Sequence, residues 1–187
     1  KTLEKYTGKK LSVNDIKYSG KYIRGLYTGG TLAEEALNEL QDLGFKIYSN
    51  VHHDEKYQMK NPLQSIENTI IDLGDDFFTR GNPHPMISPE SRIERLEQEL
   101  KDPDCGIILM DIVLGNGSNE DMAGALLPTL EHVPDSKQVC IYVLGTDLDF
   151  QDKNLQISKL RGKNIHIFES HIEMIEFAGV LLLGGNK

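Results

Sequence analysis

Apolar positions along the chain alternate between short strand-like runs and helix-like patterns. Six runs rich in β-branched and other apolar residues predict strands: Tyr22–Thr28, Phe45–Ser49, Thr69–Leu73, Gly106–Leu114, Gln138–Leu144 and Ile165–Phe168. Strands that alternate with helices are typical of a parallel sheet covered by helices on both faces. We therefore expect an α/β fold with three layers, α/β/α, and a mainly parallel sheet of five or six strands.

Capping residues and prolines mark the predicted helix boundaries. Thr31 to Glu34 has the form of a capping box, which predicts a helix that ends before Gly44. Ser88-Pro89-Glu90 has the form of an N-cap, a first-turn proline and an acidic first turn, and it predicts a helix through Leu100. Three more helices are expected over Asp121–His132, Leu155–Leu160 and Ser170–Leu183.

Composition and charge favour a globular domain with a small ligand. The chain has 187 residues, of which 39% are hydrophobic and 26% charged, as expected for one domain with one core. The net charge is −9 and no long basic run occurs, so we expect neither nucleic acid nor an anionic membrane as a partner. The longest apolar run, Ala178–Gly184, is far shorter than the roughly 20 residues that span a bilayer.

The N-terminal region and the cysteines add two expectations. Residues 1–20 are rich in lysine and show no clear period, so we expect a polar lead-in or linker before a domain over residues 21–187. The first residue is not Met and no signal peptide follows, which favours a piece of a longer polypeptide. Cys105 and Cys140 lie in apolar runs and are expected in the core, in agreement with a reducing, cytoplasmic compartment.

Glycine-containing loops follow several of the predicted strands. Ligands of open parallel sheets bind beyond the carboxyl ends of the strands, where these loops gather. The candidate anion-binding residues there are Gly29, Gly30, Thr31, Gly115, Asn116, Gly117, Gly145 and Thr146. Glycine lets the backbone approach a ligand, and free N–H groups at a helix start favour phosphate or carboxylate. The alternative is that the glycines only turn the chain. The spacing matches neither a P-loop nor a dinucleotide fingerprint.

The loop Asp72–Met86 carries the densest chemistry of the chain. His84 lies between two prolines on a stiff backbone, which suits proton transfer or a phosphate contact. Arg80 suits a bidentate contact with a carboxylate or phosphate. The alternatives are a purely structural histidine and an ion pair between Arg80 and a neighbouring aspartate. Three more residues of this loop, Asp75, Asp76 and Thr79, are expected to contact the anion, and adjacent acids alone do not indicate a metal ion.

Asp111 lies inside the most apolar predicted strand. An unpaired charge there would be costly, so we expect either a cationic or backbone partner, or a place beside a functional cleft. Together with His84 and Arg80 it forms the expected catalytic set. His52 and His53 have no third metal ligand at a suitable spacing and are expected to face solvent. No Gly-x-Ser-x-Gly or Cys–His pattern supports hydrolytic or thiol chemistry.

Three segments of the sequence resemble the FdrA family, whose members are similar to succinyl-CoA synthetase: Ile23–Ala36, Ile71–Met86 and Ile108–Gly115. The resemblance extends from about Tyr22 to Leu183. It implies a CoA-ligase-type domain of flavodoxin-like fold, one module of a larger acyl-CoA-synthetase-like protein. It also implies a part in oxamate carbamoyl transfer in purine and allantoin catabolism, with carbamoyl phosphate and oxamate as substrates.

Several positions depart from the family's pattern. Phe150 replaces a proline, and Asn82 and Ser88 stand where the family has arginine and aspartate, so anion contacts of that arginine are not expected. Succinyl-CoA synthetases transfer phosphate through a histidine in a Gly-His-Ala-Gly-Ala loop after the penultimate strand. The corresponding loop here, Gly145–Asn154, contains no histidine, so phosphohistidine transfer is not expected at this position.

The resemblance leaves two alternatives to carbamoyl transfer. One is acid–thiol ligation through an acyl phosphate and CoA. The other is a non-catalytic module that binds partner subunits. We expect the chain to be inactive alone and to hold no cofactor of its own, with CoA or a nucleotide used only by a longer protein. The expected partners are the rest of that protein, other subunits or a second copy of the chain.

Overall fold

A single parallel sheet forms the centre of the protein. The computed structural model describes residues 16–185. Its strands are β1 (Tyr22–Tyr27), β2 (Ile47–Ser49), β3 (Asn68–Asp72), β4 (Cys105–Val113), β5 (Gln138–Leu144) and β6 (Ile165–Phe168). The six strands lie in the order β2-β3-β1-β4-β5-β6, and every neighbouring pair is parallel. The α/β prediction with five or six parallel strands is confirmed.

Helices cover both faces of this sheet and complete the three predicted layers. They are α1 (Gly30–Asp42), α2 (Asp76–Thr79), α3 (Glu90–Lys101), α4 (Met122–Leu130), α5 (Lys153–Lys159) and α6 (His171–Gly185). Helices α1 and α6 contact each other on one face, while α4 contacts both α3 and α5 on the other. Each face therefore has its own apolar core.

Strand β4 lies between these two cores. Eight of its nine residues are buried, which explains why its sequence, apart from Asp111, is apolar throughout instead of alternating. Ile107 and Leu109 pack toward α1 and α6, whereas Ile108 and Met110 pack toward the helices of the other face. The strand is thus the centre of both hydrophobic layers.

Element boundaries shift from their predicted positions where local hydrogen bonds extend a helix or turn. Gly44 has a φ of 90° and ends α1 as predicted, and the Phe45 N–H then donates to the Leu40 carbonyl at 3.0 Å. Strand β2 consequently begins at Ile47 rather than at Phe45. Helix α3 begins at Glu90 after Pro89, without a side-chain cap, so the predicted capping role of Ser88 is wrong. The Ser88 hydroxyl instead bonds the Glu90 carboxylate.

The order of the strands creates a topological switch point at the end of β1. From β1 the chain enters α1 on one face, whereas β3 and β4, on either side of β1, continue to helices on the opposite face. Chains that diverge in this way leave a crevice beyond the carboxyl ends of the strands, where ligands of such sheets bind. This crevice lies between the loops after β1, β3 and β4.

The segment before β1 contacts the domain. Residues 1–15 of the expected lead-in lie outside the described residues, but Ile16 and Tyr18 pack against the core that α1 and α6 share. The Tyr18 hydroxyl donates to the carbonyl of Leu181 at 3.0 Å, and the Ser19 N–H donates to Ser136 O at 2.8 Å. Residues 16–20 are therefore bonded to the turn before β5 and to α6.

Two predictions about individual side chains have different outcomes. Both cysteines are buried as expected, and burial raises the pKa of the Cys105 thiol to about 12. His53 is exposed, but the prediction that His52 faces solvent is wrong, because only 7% of it is exposed. Its Nδ1 accepts the Asp54 N–H at 2.9 Å while its Nε2 lies 3.1 Å from the Gln41 amide of α1. Over residues 16–185, no helix combines the length and hydrophobicity needed to cross a membrane.

Candidate anion site at the carboxyl edge of the sheet

The first turn of α1 leaves its backbone N–H groups without a cap. Gly29 is the N-cap residue, with extended backbone (φ −165°) and no side chain to accept a hydrogen bond. The predicted capping box is therefore wrong: the helix already begins at Gly30, and Thr31 is exposed. The first N–H groups of a helix have no partner within the helix. A Cβ added at Gly29 would meet no atom within 4 Å, so the space in front of this turn is open.

Asp72, the last residue of β3, lies beside this first turn. Its Oδ2 is 3.3 Å from the position that a Cβ on Gly30 would take, and its Oδ1 accepts the Gly74 N–H at 2.7 Å. Burial raises the pKa of the Asp72 carboxyl group, the charges of Asp75 and Asp111 act in the same direction, and His84 opposes them. This carboxylate is absent from the site predicted by sequence.

Three segments meet around Gly74. A Cβ on this residue would lie 2.6 Å from Thr28 O, 2.7 Å from His84 Nε2 and 3.0 Å from Asp72 Oδ1. The end of β1, the end of β3 and the following loop therefore place polar atoms around one point. Only glycine fits there, since the Thr28 carbonyl belongs to the backbone and cannot move aside.

His84 points its Nε2 atom toward this meeting point. Its Nδ1 accepts the Met86 N–H at 3.2 Å, so a neutral ring carries its proton on Nε2. The side chain is half-buried, and the following residue, Pro85, is buried, which anchors the loop. The structure thus brings His84 together with Asp72 and the end of β1.

Asp111 has both a backbone partner and a cationic partner, the two kinds expected for a buried carboxylate. The carboxylate is fully buried and accepts the Thr28 N–H at 3.0 Å as well as the Thr28 hydroxyl. Arg92 of α3 donates through Nη2 to the Asp111 carbonyl and lies 3.4 Å from Oδ1. The expected cation is therefore Arg92 and not Arg80. A carboxylate enclosed in this way holds the end of β1 in place and is shielded from solvent.

Arg92 is itself fully buried, a position that sequence reasoning missed. Burial lowers the pKa of its guanidinium, and Asp111 opposes that effect. Its Nε and Nη1 atoms have no hydrogen-bond partner in the described part of the chain. In the sequence, Arg92 is one of several charged residues at the start of an amphipathic helix, so nothing marked it as buried.

The loops after β4 and β5 are joined by Gln151. This buried amide donates to Gly115 O at 3.0 Å and to the Ser118 hydroxyl at 2.8 Å, while its Oε1 accepts the Gly115 N–H at 3.0 Å. Gly115 and Gly117 have φ values of 112° and 88°, so both positions need glycine. Asn116 and Gly117 are exposed at the tip. These loops form a second cluster along the same edge.

Thr146 and Gly145 belong to this second cluster. The Thr146 N–H, a predicted anion contact, donates instead to Asp149 Oδ2 at 2.6 Å. Gly145 lies close to Leu114, because a Cβ there would be 2.7 Å from the Leu114 Cβ. The Asp149 side chain therefore closes the turn and occupies the Thr146 N–H.

The loop after β3 contains one turn of helix, α2. Asp75 caps α2 by accepting the Phe77 N–H at 2.8 Å, and the Thr79 hydroxyl donates to Asp75 O at 3.2 Å. Asp76 and Arg80 are exposed. Within residues 16–185, the Arg80 guanidinium has no hydrogen bond or ion pair, and no group of three or more His, Cys, Asp or Glu side chains is placed to hold a metal ion.

The fold and this edge define an α/β domain with an open, glycine-containing crevice at a topological switch point. A family model of CoA-ligases matches residues 26–181, and the chain therefore belongs to the CoA-ligase family. This family model names neither the FdrA family nor carbamoyl transfer, so both stay predictions.

A curated protein and a solved structure are among those to which this chain is similar. YahF of Escherichia coli (strain K12), an uncharacterized protein, is 44% identical over 136 residues, which is 69% of this chain and 26% of YahF. The crystal structure of PH0766 from Pyrococcus horikoshii OT3 has a TM-score of 0.58 at 14% identity, over 91% of this chain and 38% of that one. The second likeness concerns the fold alone. The chain spans about a quarter of the length of YahF.

Proposed function

We propose that this CoA-ligase-type domain contributes an anion site to acid–thiol ligation and binds the phosphate or carboxylate group of an acyl phosphate. The observation that carries the proposal is the uncapped first turn of α1, which opens at the switch point with glycine at its N-cap. N–H groups at the start of a helix of 13 residues attract an anion through hydrogen bonds and through the helix dipole.

His84 and Arg80 supply the polar groups that such chemistry needs. The Nε2–H of His84 would donate a hydrogen bond, or a proton, to the oxygen on which charge develops as the acyl–phosphate bond breaks. On the same loop, the Arg80 guanidinium has no partner among residues 16–185 and would pair with a second oxygen of the anion. CoA enters this proposal as a substrate, and we assign no residue to its adenine or pantetheine part.

Carbamoyl transfer to oxamate would use the same kind of site, with the phosphate of carbamoyl phosphate at the first turn of α1. A module that only binds partner subunits would need no anion there. The three functions therefore differ in the ligand that each requires, and the choice of ligand separates them.

The test is a titration of the purified chain at low salt, followed by calorimetry and by NMR of the backbone amides. Acetyl phosphate, carbamoyl phosphate, oxamate and CoA are added separately. We expect acetyl phosphate to shift the amide signals of Gly30 and Thr31, and His84→Gln to weaken its binding several-fold. The matched control is His53→Gln, which changes an exposed histidine and leaves binding unchanged.

Two results would contradict acid–thiol ligation. Binding of carbamoyl phosphate and oxamate without acetyl phosphate would favour carbamoyl transfer. If none of the four compounds shifts the Gly30 and Thr31 amides, the anion site is wrong and the assembly function is favoured.

A further inference from the structure

A hydrogen-bonded chain of three side chains runs behind the first turn of α1. His171, the first residue of α6, bonds the Glu35 carboxylate of α1 through Nδ1 and the Tyr27 hydroxyl of β1 through Nε2, at 3.0 Å. His171 and Tyr27 are buried, while the Glu35 side chain is 41% exposed. One imidazole ring thus joins α6 to β1 and α1, which are consecutive elements near the other end of the described residues.

The direction of both hydrogen bonds follows from the chemistry of the groups. A carboxylate can only accept, so Nδ1 donates its proton to Glu35. In the neutral ring Nε2 is then an acceptor, and the Tyr27 hydroxyl donates to it. Burial raises the pKa of Tyr27 well above its usual value, and Asp111, Cys140 and Glu35 act in the same direction, so the phenol keeps its proton.

This arrangement resembles a base-activated hydroxyl, but Tyr27 is not a nucleophile. Its side chain is fully buried and its phenol is held in the neutral form. The ring of His171 lies edge-on to Tyr27, with 5.3 Å between centroids, and Tyr142 of β5 lies 5.5 Å away at a tilt of 37°. Aromatic rings therefore fix the imidazole and exclude a substrate from it.

The position of the chain along the sequence relates it to the anion site. Tyr27 lies three residues before Gly30 and Glu35 lies five residues after it, so the bonds hold both sides of the uncapped turn. The turn begins with two glycines, and Gly29 provides no side-chain cap. Local side-chain contacts therefore do little to fix the orientation of its N–H groups.

We infer that His171 is a positioning residue for the candidate anion site and that, through Glu35 and Tyr27, it fixes the direction of the first-turn N–H groups. This inference rests on the proposed function. It assigns to His171 a polar link from α6 to both β1 and α1, in addition to the apolar packing between the two helices.

The test compares three variants of the purified chain by amide hydrogen exchange and by titration with inorganic phosphate. His171→Leu removes both bonds. His171→Gln keeps them, since an amide can donate to Glu35 and accept from Tyr27. Tyr27→Phe removes one bond. Because each hydrogen bond contributes modestly, we expect His171→Leu to weaken phosphate binding about tenfold and to speed exchange at Gly30 and Thr31, with His171→Gln close to the unsubstituted chain.

The matched control is His166→Leu. His166 is a second buried histidine, bonded to Gln138 at the opposite edge of the sheet, so its loss lowers stability without changing phosphate affinity. If His171→Leu binds phosphate as tightly as the unsubstituted chain, the inference is wrong and the proposed function stands. If the unsubstituted chain binds none of the anions, the proposed function is wrong, and unchanged exchange at Gly30 in His171→Leu would also overturn the positioning role.

Discussion

Asp72 is the last residue of β3 and Asp111 lies near the end of β4, yet the environments of these two aspartates differ. Asp111 is enclosed by Thr28 and Arg92, so its charge is balanced locally. Asp72 accepts a backbone N–H but forms no ion pair within residues 16–185, and it lies beside the first turn of α1. An anion bound at that turn would therefore experience stronger repulsion from Asp72 than from Asp111.

We accordingly expect Asp72→Asn to tighten binding of sulfate, whose charge is constant over the acidic to neutral range, by several-fold at neutral pH. The substitution removes a like charge and keeps the acceptor for the Gly74 N–H. Protonation has the same effect as the substitution, so binding to the unsubstituted chain should tighten as pH falls through the raised pKa of Asp72. Calorimetry at a series of pH values measures both effects.

Asp76→Asn is the control, because it removes an exposed charge from the same loop. Weaker sulfate binding in Asp72→Asn would contradict the prediction.

The residues of the site were only partly predictable from sequence. His84 was found because two prolines flank it, and Asp111 because a charge interrupts an apolar strand. Asp72 lies at the carboxyl end of the predicted strand Thr69–Leu73, so the strand-end argument that selected the glycine loops could have found it. Arg92 and His171 gave no such signal, since burial of a polar residue on a helix depends on which elements pack against it.

At the scale of the element, α1 has a well-packed apolar face but no side-chain cap at its first turn. Its apolar residues Ala33, Ala36, Leu37 and Leu40 are all buried, and packing against α6 stabilises the helix without a cap. A side-chain cap is normally favourable by about 0.5–2 kcal/mol relative to alanine, and glycine lies only a few tenths below the best caps. The uncapped start therefore costs little and leaves the N–H groups free.

A serine at the N-cap should increase the stability of the domain and weaken its binding of an anion. Gly29 has extended backbone and open space around it, so Gly29→Ser can be accommodated without strain. We expect its hydroxyl to occupy an N–H group of the first turn, to raise the free energy of unfolding by a few tenths of a kcal/mol, and to weaken acetyl phosphate binding several-fold. Urea unfolding and calorimetry measure the two effects.

Gly29→Ala is the matched comparison for this change. It adds a Cβ without an acceptor, so it should leave the first-turn N–H groups free and retain binding. Equal losses of affinity in the serine and alanine variants would mean that the Cβ itself blocks the ligand, and capping would not be the cause.

Elements were more predictable than their ends. Each predicted strand and long helix exists, because hydrophobic spacing reports which face is buried. The start of α1 and the start of α3 were misplaced, since Thr31 and Ser88 have the residue types of caps while the backbone begins each helix elsewhere. A capping motif shows that a side chain is able to cap a helix. Whether it does so depends on the residue at which the backbone becomes helical.

At the scale of the whole molecule, His166 sets a pH dependence of stability. It is buried and its Nε2 contacts Gln138 Oε1 at 2.7 Å, and burial lowers its pKa from 6.5 to about 4. The folded state therefore binds a proton less readily than the unfolded state. Its contribution is fully present above about pH 6.5 and is lost as pH falls toward 4, and it amounts to about 3 kcal/mol at most.

Urea unfolding between pH 7 and pH 4 checks this expectation against His166→Gln. Glutamine can donate to the same oxygen but does not titrate, so the variant should lose less stability over that interval. Parallel losses in the two proteins would assign the acid sensitivity to carboxylates elsewhere.

The pairing of α1 with α6 has a consequence for synthesis on the ribosome. Strands β1, β3 and β4 can associate once residue 113 has emerged, because β1 pairs directly with both of the others. The apolar side of α1, made early, is covered by α6, which begins only at His171. The core on this face of the sheet is thus completed last. A nascent chain that stalls before α6 exposes the apolar side of α1, which chaperones or other aggregation-prone chains would bind.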